Sequence, residues 1–292
     1  MLAAALALAA TSPTLVYTID PRHRIVEGIA TDGQTVWLSS IMDRTIIACR
    51  RECRTLVRLP AGPHPFALAW DGPRKRLWIA ADCPPKVTGI IECERGALLA
   101  LDRRGQIRTR LSVPTGIFHP GDVSVGGGRI FVSDSQNGIV REVDFKRRAL
   151  VTVVPAGEGK SGQGTALSAD GKTLIVADYS KGVGAFPSGA TVRTALPRPD
   201  GKPLRGIDGL VRAGNSYYGI YNGGSPGALL KLSIAPDRLT YDQVDTGDYM
   251  ADPTQLTVAG KSLLVVADSG WATIDKEPVR TKGATIVRVP LP

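Results

Sequence analysis

Apolar and polar positions along this chain recur in a fixed order, with no helical period of convincing length. Six times a short apolar segment passes into a turn, and the turn into a second segment rich in β-branched and aromatic residues that ends on a small or acidic one. The second segments are Thr35-Val36-Trp37-Leu38-Ser39, Leu77 to Asp82, Ile130 to Asp134, Leu174 to Asp178, Tyr217 to Asn222 and Leu263 to Asp268. The turns before them carry residues that tolerate positive φ: Asp32-Gly33, Asp71-Gly72, Gly126-Gly127, Asp170-Gly171, Ala213-Gly214 and Ala259-Gly260. This is the pattern of hairpins. Third strands follow, as in Ala97 to Leu101, Ala228 to Leu232 and Ala284 to Val289, and a fourth fits after the first five copies.

Four antiparallel strands repeated six times predict an all-β, six-bladed β-propeller. The blades are expected near 27–60, 63–114, 118–157, 159–199, 204–247 and 251–292, in one domain spanning 14–292. The last copy has no room for an outer strand, while Thr14 to Ile19 stands unpaired ahead of the first, so the N-terminal strand is expected to complete the last blade. Such closure removes an exposed sheet edge.

Composition agrees. The 292 residues include 33 Gly and 21 Pro, a proportion suited to many short strands, and 43% are hydrophobic, enough for a large core. Residues 1–10 form an apolar run too short to span a bilayer, and Ala7-Leu8-Ala9 fits the small-x-small cleavage rule. They read as a signal-peptide remnant, and the chain as periplasmic or secreted. Cys49 with Cys53 and Cys83 with Cys93 are spaced for local disulfides in an oxidising compartment, and no histidine lies beside either pair to suggest zinc.

A net charge of +9 raises nucleic acid as a partner. The basic residues sit in short groups at turns: Arg50, Arg51 and Arg54; Arg103 and Arg104; Lys146, Arg147 and Arg148. No interleaving of aromatic and basic residues accompanies them, so nucleic acid is not expected, and what remains is an unspecific attraction to anions. No transmembrane span is expected, and the chain reads as a monomer whose partner is a small molecule.

In a propeller the first strand of each blade lines the central channel, so polar residues at its start converge. Aligned on the turns, the copies give one ring: Glu27, Phe66, Gly121, Gln163, Asp208 and Thr254. Two carboxylates and a carboxamide offer the hard oxygens that Ca²⁺, Mg²⁺ or Mn²⁺ prefer. Without a cation those carboxylates would repel, unless an arginine such as Arg24 or Arg205 pairs with Glu27. Strand parity adds His64, His119 and Asp252, each two residues before a ring position, and the histidines titrate in the range that proton transfer needs at neutral pH.

These residues resemble the regucalcin, gluconolactonase and luciferin-regenerating-enzyme group of six-bladed propellers, with paraoxonases and strictosidine synthases as distant relatives. Glu27-Gly28 is similar to the group's first-blade Glu-Gly, Gly162-Gln163-Gly164 to its Pro-Asn-Gly, and Ile207-Asp208-Gly209-Leu210 to its Pro-Asp-Gly. The resemblance implies Glu27, Gln163 and Asp208 as ligands of a divalent metal, calcium first among the candidates with manganese, magnesium and zinc behind it. It implies Asp208 as general base, and His64, similar to an axial histidine of paraoxonases, is the other candidate to activate water. His119, Asp122, Asp252 and Asn222 complete the expected site as substrate-binding groups. Two departures stand out: Gln163 replaces an asparagine, and Gly121-Asp122 replaces Asn-Asp. The expected activity is metal-dependent hydrolysis of a lactone or ester; the alternative is a non-catalytic propeller that binds a ligand or partner over a degenerate metal site. Metal-free condensation of the strictosidine-synthase type has only the fold in its favour.

Overall fold

The computed structural model describes residues 12–83, 93, 95–274 and 281–291. The expected signal remnant at residues 1–10 lies outside them. Twenty-four strands form six antiparallel sheets of four, the blades of a β-propeller. The first blade runs β2 (Val26–Thr31), β3 (Val36–Ser40), β4 (Thr45–Cys49), β5 (Cys53–Arg58), and the second β6 (His64–Asp71), β7 (Arg76–Asp82), β8 (Ala97–Leu101), β9 (Ile107–Leu111). The third holds β10 (Pro120–Gly126), β11 (Arg129–Asp134), β12 (Val140–Asp144) and β13 (Ala149–Val154); the fourth holds β14 (Gly162–Leu167), β15 (Thr173–Asp178), β16 (Gly182–Pro187) and β17 (Thr194–Ala195). The fifth is β18 (Ile207–Ala213), β19 (Ser216–Tyr221), β20 (Ala228–Ile234) and β21 (Leu239–Gln243). The sixth joins β22 (Leu256–Ala259), β23 (Ser262–Asp268) and β24 (Thr285–Pro290) to β1 (Thr14–Thr18) as its outer strand, with Thr14 opposite Arg288 and Thr18 opposite Thr285. The N-terminal strand therefore closes the ring.

The second strand of each blade is buried along nearly its whole length, because both of its faces meet a neighbouring blade. That double burial selects the continuous Val, Ile, Leu and Trp runs seen in the sequence. Among the described residues the buried apolar side chains fall into six clusters, each spanning two adjacent blades. Removing a large member such as Trp78 or Phe131 from water contributes about 1.5–3 kcal/mol, and the sum runs around the ring.

The turn glycines Gly33, Gly127, Gly171, Gly214 and Gly260 take positive φ, as their turns require. The second blade differs. At its first turn Lys75, at φ 53°, rather than Gly72 adopts the left-handed conformation. Both disulfides form, Cys49–Cys53 and Cys83–Cys93. No helix among the described residues is long and apolar enough to cross a membrane.

Candidate functional site

All six ring positions line one cavity of about 530 Å³ at the end of the channel where the inner strands begin. Five inner strands break register at this point: between Val26 and Ile29, Pro65 and Leu68, Pro120 and Asp122, Gly162 and Thr165, and Ile207 and Leu210. In the sixth blade the inner strand starts only at Leu256, after Thr254, and Asp252 makes an isolated bridge to Asp268. A bulge inserts an extra residue and re-aims a side chain. Here the bulges place Glu27, Phe66, Gly121, Gln163 and Asp208 at the channel mouth.

A glycine follows each charged or amide ring residue; close approach of the neighbouring inner strand demands it at Gly28 and Gly164, and packed side chains of the sixth blade crowd Gly209. A Cβ on Gly28 would lie 2.2 Å from the Phe66 carbonyl oxygen, one on Gly164 2.3 Å from the Leu210 nitrogen, and one on Gly209 2.6 Å from Gln255 Oε1. Hydrogen bonds then link the blades. Gly28 N–H donates to Ser39 Oγ at 2.7 Å, Ser39 donates to the Phe66 carbonyl at 2.5 Å, and Thr254 Oγ1 donates to the Glu27 carbonyl at 3.0 Å.

A second ring, of which the sequence pointed only to Asn222, sits at or just beyond the end of each second strand. Backbone donors at Ile41, Ser135, Tyr179, Asn222 and Ser269 bond the carbonyls of Ile25, His119, Ser161, Gly206 and Asp252 at 2.8–3.1 Å, and Asp82 pairs with His64 at the equivalent place. Of these, Asp82, Ser135, Tyr179 and Asn222 line the cavity. The signal was present in the second-strand alignment, whose residue just past the end is polar in four copies.

The cavity lining carries four carboxylates, Glu27, Asp82, Asp208 and Asp252, and no lysine or arginine among the described residues, inside a chain of net charge +9. Burial first, and then the charge of Asp208, push Glu27 well above the ordinary carboxyl range, while the Trp271 indole N–H bonded to its Oε2 pulls the other way. Burial lifts Asp208 to about 6, opposed by Asn222 Nδ2, which donates to its Oδ2 at 2.8 Å. The anticipated arginine partners do not reach Glu27: Arg24 donates to the Ile274 carbonyl at 3.2 Å, and Arg205 is exposed outside the cavity lining.

Asp252 lines the cavity, but its Oδ2 accepts from Ser269 Oγ and from the backbone N–H of Gly270 and Ala272. It thereby holds the loop that presents Trp271 to Glu27. Phe66 stacks near Trp271, ring centroids 6.5 Å apart, as an aromatic wall.

Three expected site residues lie elsewhere. His64 is buried outside the lining, its Nδ1 on the Ile41 carbonyl at 2.7 Å and its Nε2 without a partner, and burial holds it below the ordinary histidine range. His119 is also absent from the lining and bonds Asp82 Oδ1 through Nδ1 at 3.0 Å. Neither histidine shares the face of its ring residue, because the two-residue alternation of a strand does not carry across the bulges after Pro65 and Pro120. Asp122 faces the opposite end of the channel, in a separate cavity of about 400 Å³.

Burial and the nearby Asp208 raise Asp122 to about 7, against the Val123 N–H and Gln255. An ordinary aspartate titrates near 4, so between pH 4 and 7 the folded chain keeps protons that the unfolded chain has lost. Stability must fall as pH rises through that window, and Asp122→Asn is expected to flatten the fall and stabilise by on the order of 1–3 kcal/mol at pH 7.5. Urea midpoints from pH 4 to 8 in chelator measure this; an unchanged slope contradicts it.

No protein-family model and no curated protein sequence matches the chain. Its fold matches many solved structures. A gluconolactonase from Xanthomonas campestris superposes with TM-score 0.62 at 18% identity, covering 97% of this chain and 95% of that one. Luciferin-regenerating enzyme gives 0.65 at 14% identity, with 96% and 95% covered. The PQQ-bound aldose sugar dehydrogenase of Streptomyces coelicolor gives 0.66 at 13% identity, with 96% and 99% covered. At these identities the likeness establishes the six-bladed propeller.

Proposed function

We propose that the cavity is the active site of a hydrolase acting on a lactone or similar ester with a divalent cation. The observation that carries this reading is a pair of carboxylates, buried Glu27 and half-buried Asp208, facing a shared cavity with no basic side chain in its lining among the described residues. A buried carboxylate without a counter-charge is costly, and a cation relieves two at once.

The donor set fits such an ion. Glu27 and Asp208 supply carboxylate oxygens, Gln163 supplies an amide oxygen, and Asn222 Oδ1 is buried without a hydrogen-bond partner. Among the described residues no three His, Cys, Asp or Glu side chains form a metal cluster, so the amides must complete the set. These are hard oxygens, suited to calcium, magnesium or manganese. When bound, the ion would polarise an ester carbonyl. Asp208, oriented by Asn222 Nδ2, accepts the proton of the attacking water and returns it to the departing alkoxide oxygen as the acyl C–O bond breaks, leaving acid and alcohol. Trp271 fixes Glu27, and Ser135, Tyr179 and Gln163 offer hydrogen bonds to the substrate. The solved gluconolactonase of the same fold supports lactones as the first substrates to try.

A quinone cofactor such as PQQ, which carries three carboxylates, does not fit this wall. Among the described residues the lining would oppose it with four more acids and no base. A second reading, ligand binding without turnover, rests on Gly121, where the ring has lost a side chain and Ser135 and Gln163 close over the gap.

Chelator-treated protein assayed on γ- and δ-lactones is expected to hydrolyse at least one only after Ca²⁺, Mn²⁺, Mg²⁺ or Zn²⁺ is restored. Ligand binding in calorimetry without turnover would favour the second reading. Because protons compete for the same oxygens, added Ca²⁺ should raise the melting temperature more at pH 7.5 than at pH 5. An equal rise at both would remove the carboxylates from the ion's binding site.

A further inference from the structure

A second concavity, of about 600 Å³, lies where the first blade meets the second, lined by Thr35, Trp37, Ala48, Leu56, four arginines, Glu52 and Cys53. The arginines are Arg50, Arg51 and Arg54 on the β4–β5 hairpin and Arg103 on the β8–β9 turn. These connections occupy the face opposite the channel mouth, since strands alternate direction and the inner strands start at the mouth. Two of the four guanidiniums are engaged: Arg103 pairs with Asp32 at 2.7 Å and lies over the Trp70 ring, and Arg50 Nε donates to Thr35 Oγ1 at 2.9 Å. Arg51 and Arg54 are exposed and have no carboxylate partner among the described residues; Glu52 is the only other acid on the hairpin tip.

The groove is rigid. Trp37 stacks on Trp70 with centroids 4.7 Å apart, and the β8–β9 turn is seated on β5, where a Cβ at Gly105 would fall 3.0 Å from Val57. Cys49 and Cys53 are directly paired across the hairpin, whose tip is already closed by Arg50 N–H to the Glu52 carbonyl at 3.1 Å. A crosslink across so short a loop removes little chain entropy. Its effect is to fix the display of the Arg50-Arg51 pair and Arg54.

We propose that this groove is a binding site for a phosphate-bearing anion with an apolar or ring body. The free guanidiniums of Arg51 and Arg54 match phosphate oxygens, which favour forked donors, and Trp37, Ala48 and Leu56 supply an apolar floor beside them. The site is independent of the channel cavity and leaves its mouth open. The phosphate could belong to a soluble ester or to a lipid headgroup, and two arms of one experiment separate these.

The full chain is titrated with phenyl phosphate, followed by tryptophan fluorescence and calorimetry, and is sedimented with phosphatidylcholine vesicles with and without phosphatidylglycerol. Arg51→Ala/Arg54→Ala is expected to weaken phenyl phosphate binding about tenfold or more. Lys146→Ala/Arg147→Ala removes the same charge from another turn and should leave it unchanged. Sedimentation that needs phosphatidylglycerol and is lost in the first variant assigns the phosphate to a headgroup; phenyl phosphate binding without sedimentation assigns it to a soluble ester. Absence of binding in both arms, or equal loss in the two variants, overturns the proposal. Both variants change exposed side chains, so circular dichroism should show the wild-type fold.

Discussion

Asp208→Ala is expected to abolish divalent-cation binding and to lower lactone hydrolysis by about 10²-fold to 10⁴-fold, the range lost when a proton acceptor or a charge-stabilising group is removed. The same substitution should stabilise the chelated protein at neutral pH. Asp208 is half-buried, sits on the mouth of the channel with Glu27, and raises the pKa of both Glu27 and Asp122. Removing it relieves two neighbours at once. Activity and stability therefore move in opposite directions, as at sites whose chemistry opposes packing. Turnover measured beside urea unfolding makes the test; a variant that loses both together would make Asp208 a structural residue. Asp208→Asn keeps the volume and should still lose the activity.

Gly164→Ala is expected to be, with Gly28→Ala, among the most damaging single methyl groups in the channel. Its Cβ would fall 2.3 Å from the Leu210 nitrogen and 2.8 Å from the Asp208 carbonyl oxygen, both backbone atoms of the next blade. No rotamer relieves a backbone clash, so the blades must part, at a cost of about 3 kcal/mol or more. Gly33→Ala provides the comparison: at φ +88° with open space around it, it should cost only about 1 kcal/mol, through backbone strain. Urea unfolding of the two variants ranks the effects, and equal losses would contradict the inter-blade contact. Part of the Gly164→Ala loss should appear as weaker cation binding, since Gln163 and Asp208 flank the displaced contact.

The fold was legible because hairpin turns and doubly buried second strands are local features that repeat. Val36-Trp37-Leu38 and Leu263 to Ala267 announce their burial through side-chain type alone. Closure by Thr14–Thr18 followed from counting strands. The ring was legible too, because Glu27, Phe66, Gly121, Gln163, Asp208 and Thr254 hold equivalent places after the turns are aligned. The histidines were misplaced. His64 and His119 were projected onto the mouth by a period of two, and bulges leave no mark in a sequence that such a count can detect. Trp271 was missed for a different reason. It lies on an irregular loop held by Asp252, and its bond to Glu27 joins positions 244 residues apart.

The +9 charge, diffuse in the sequence, divides in the structure into an acid-lined cavity at the channel mouth and an arginine groove on the opposite face. Opposite signs at opposite ends suit the two proposed sites, a cation at one and an anion at the other. Local fields of this kind act over roughly 10 Å at moderate ionic strength.

In the proposed site Glu27 and Asp208 share a divalent cation. Crystals soaked in Mn²⁺ and measured at the manganese absorption edge test it directly. An anomalous peak on the channel axis within about 2.5 Å of oxygens from both carboxylates is the predicted result. A mouth without such a peak at neutral pH, with Glu27 still bonded to Trp271 and Asp208 to Asn222, would contradict it.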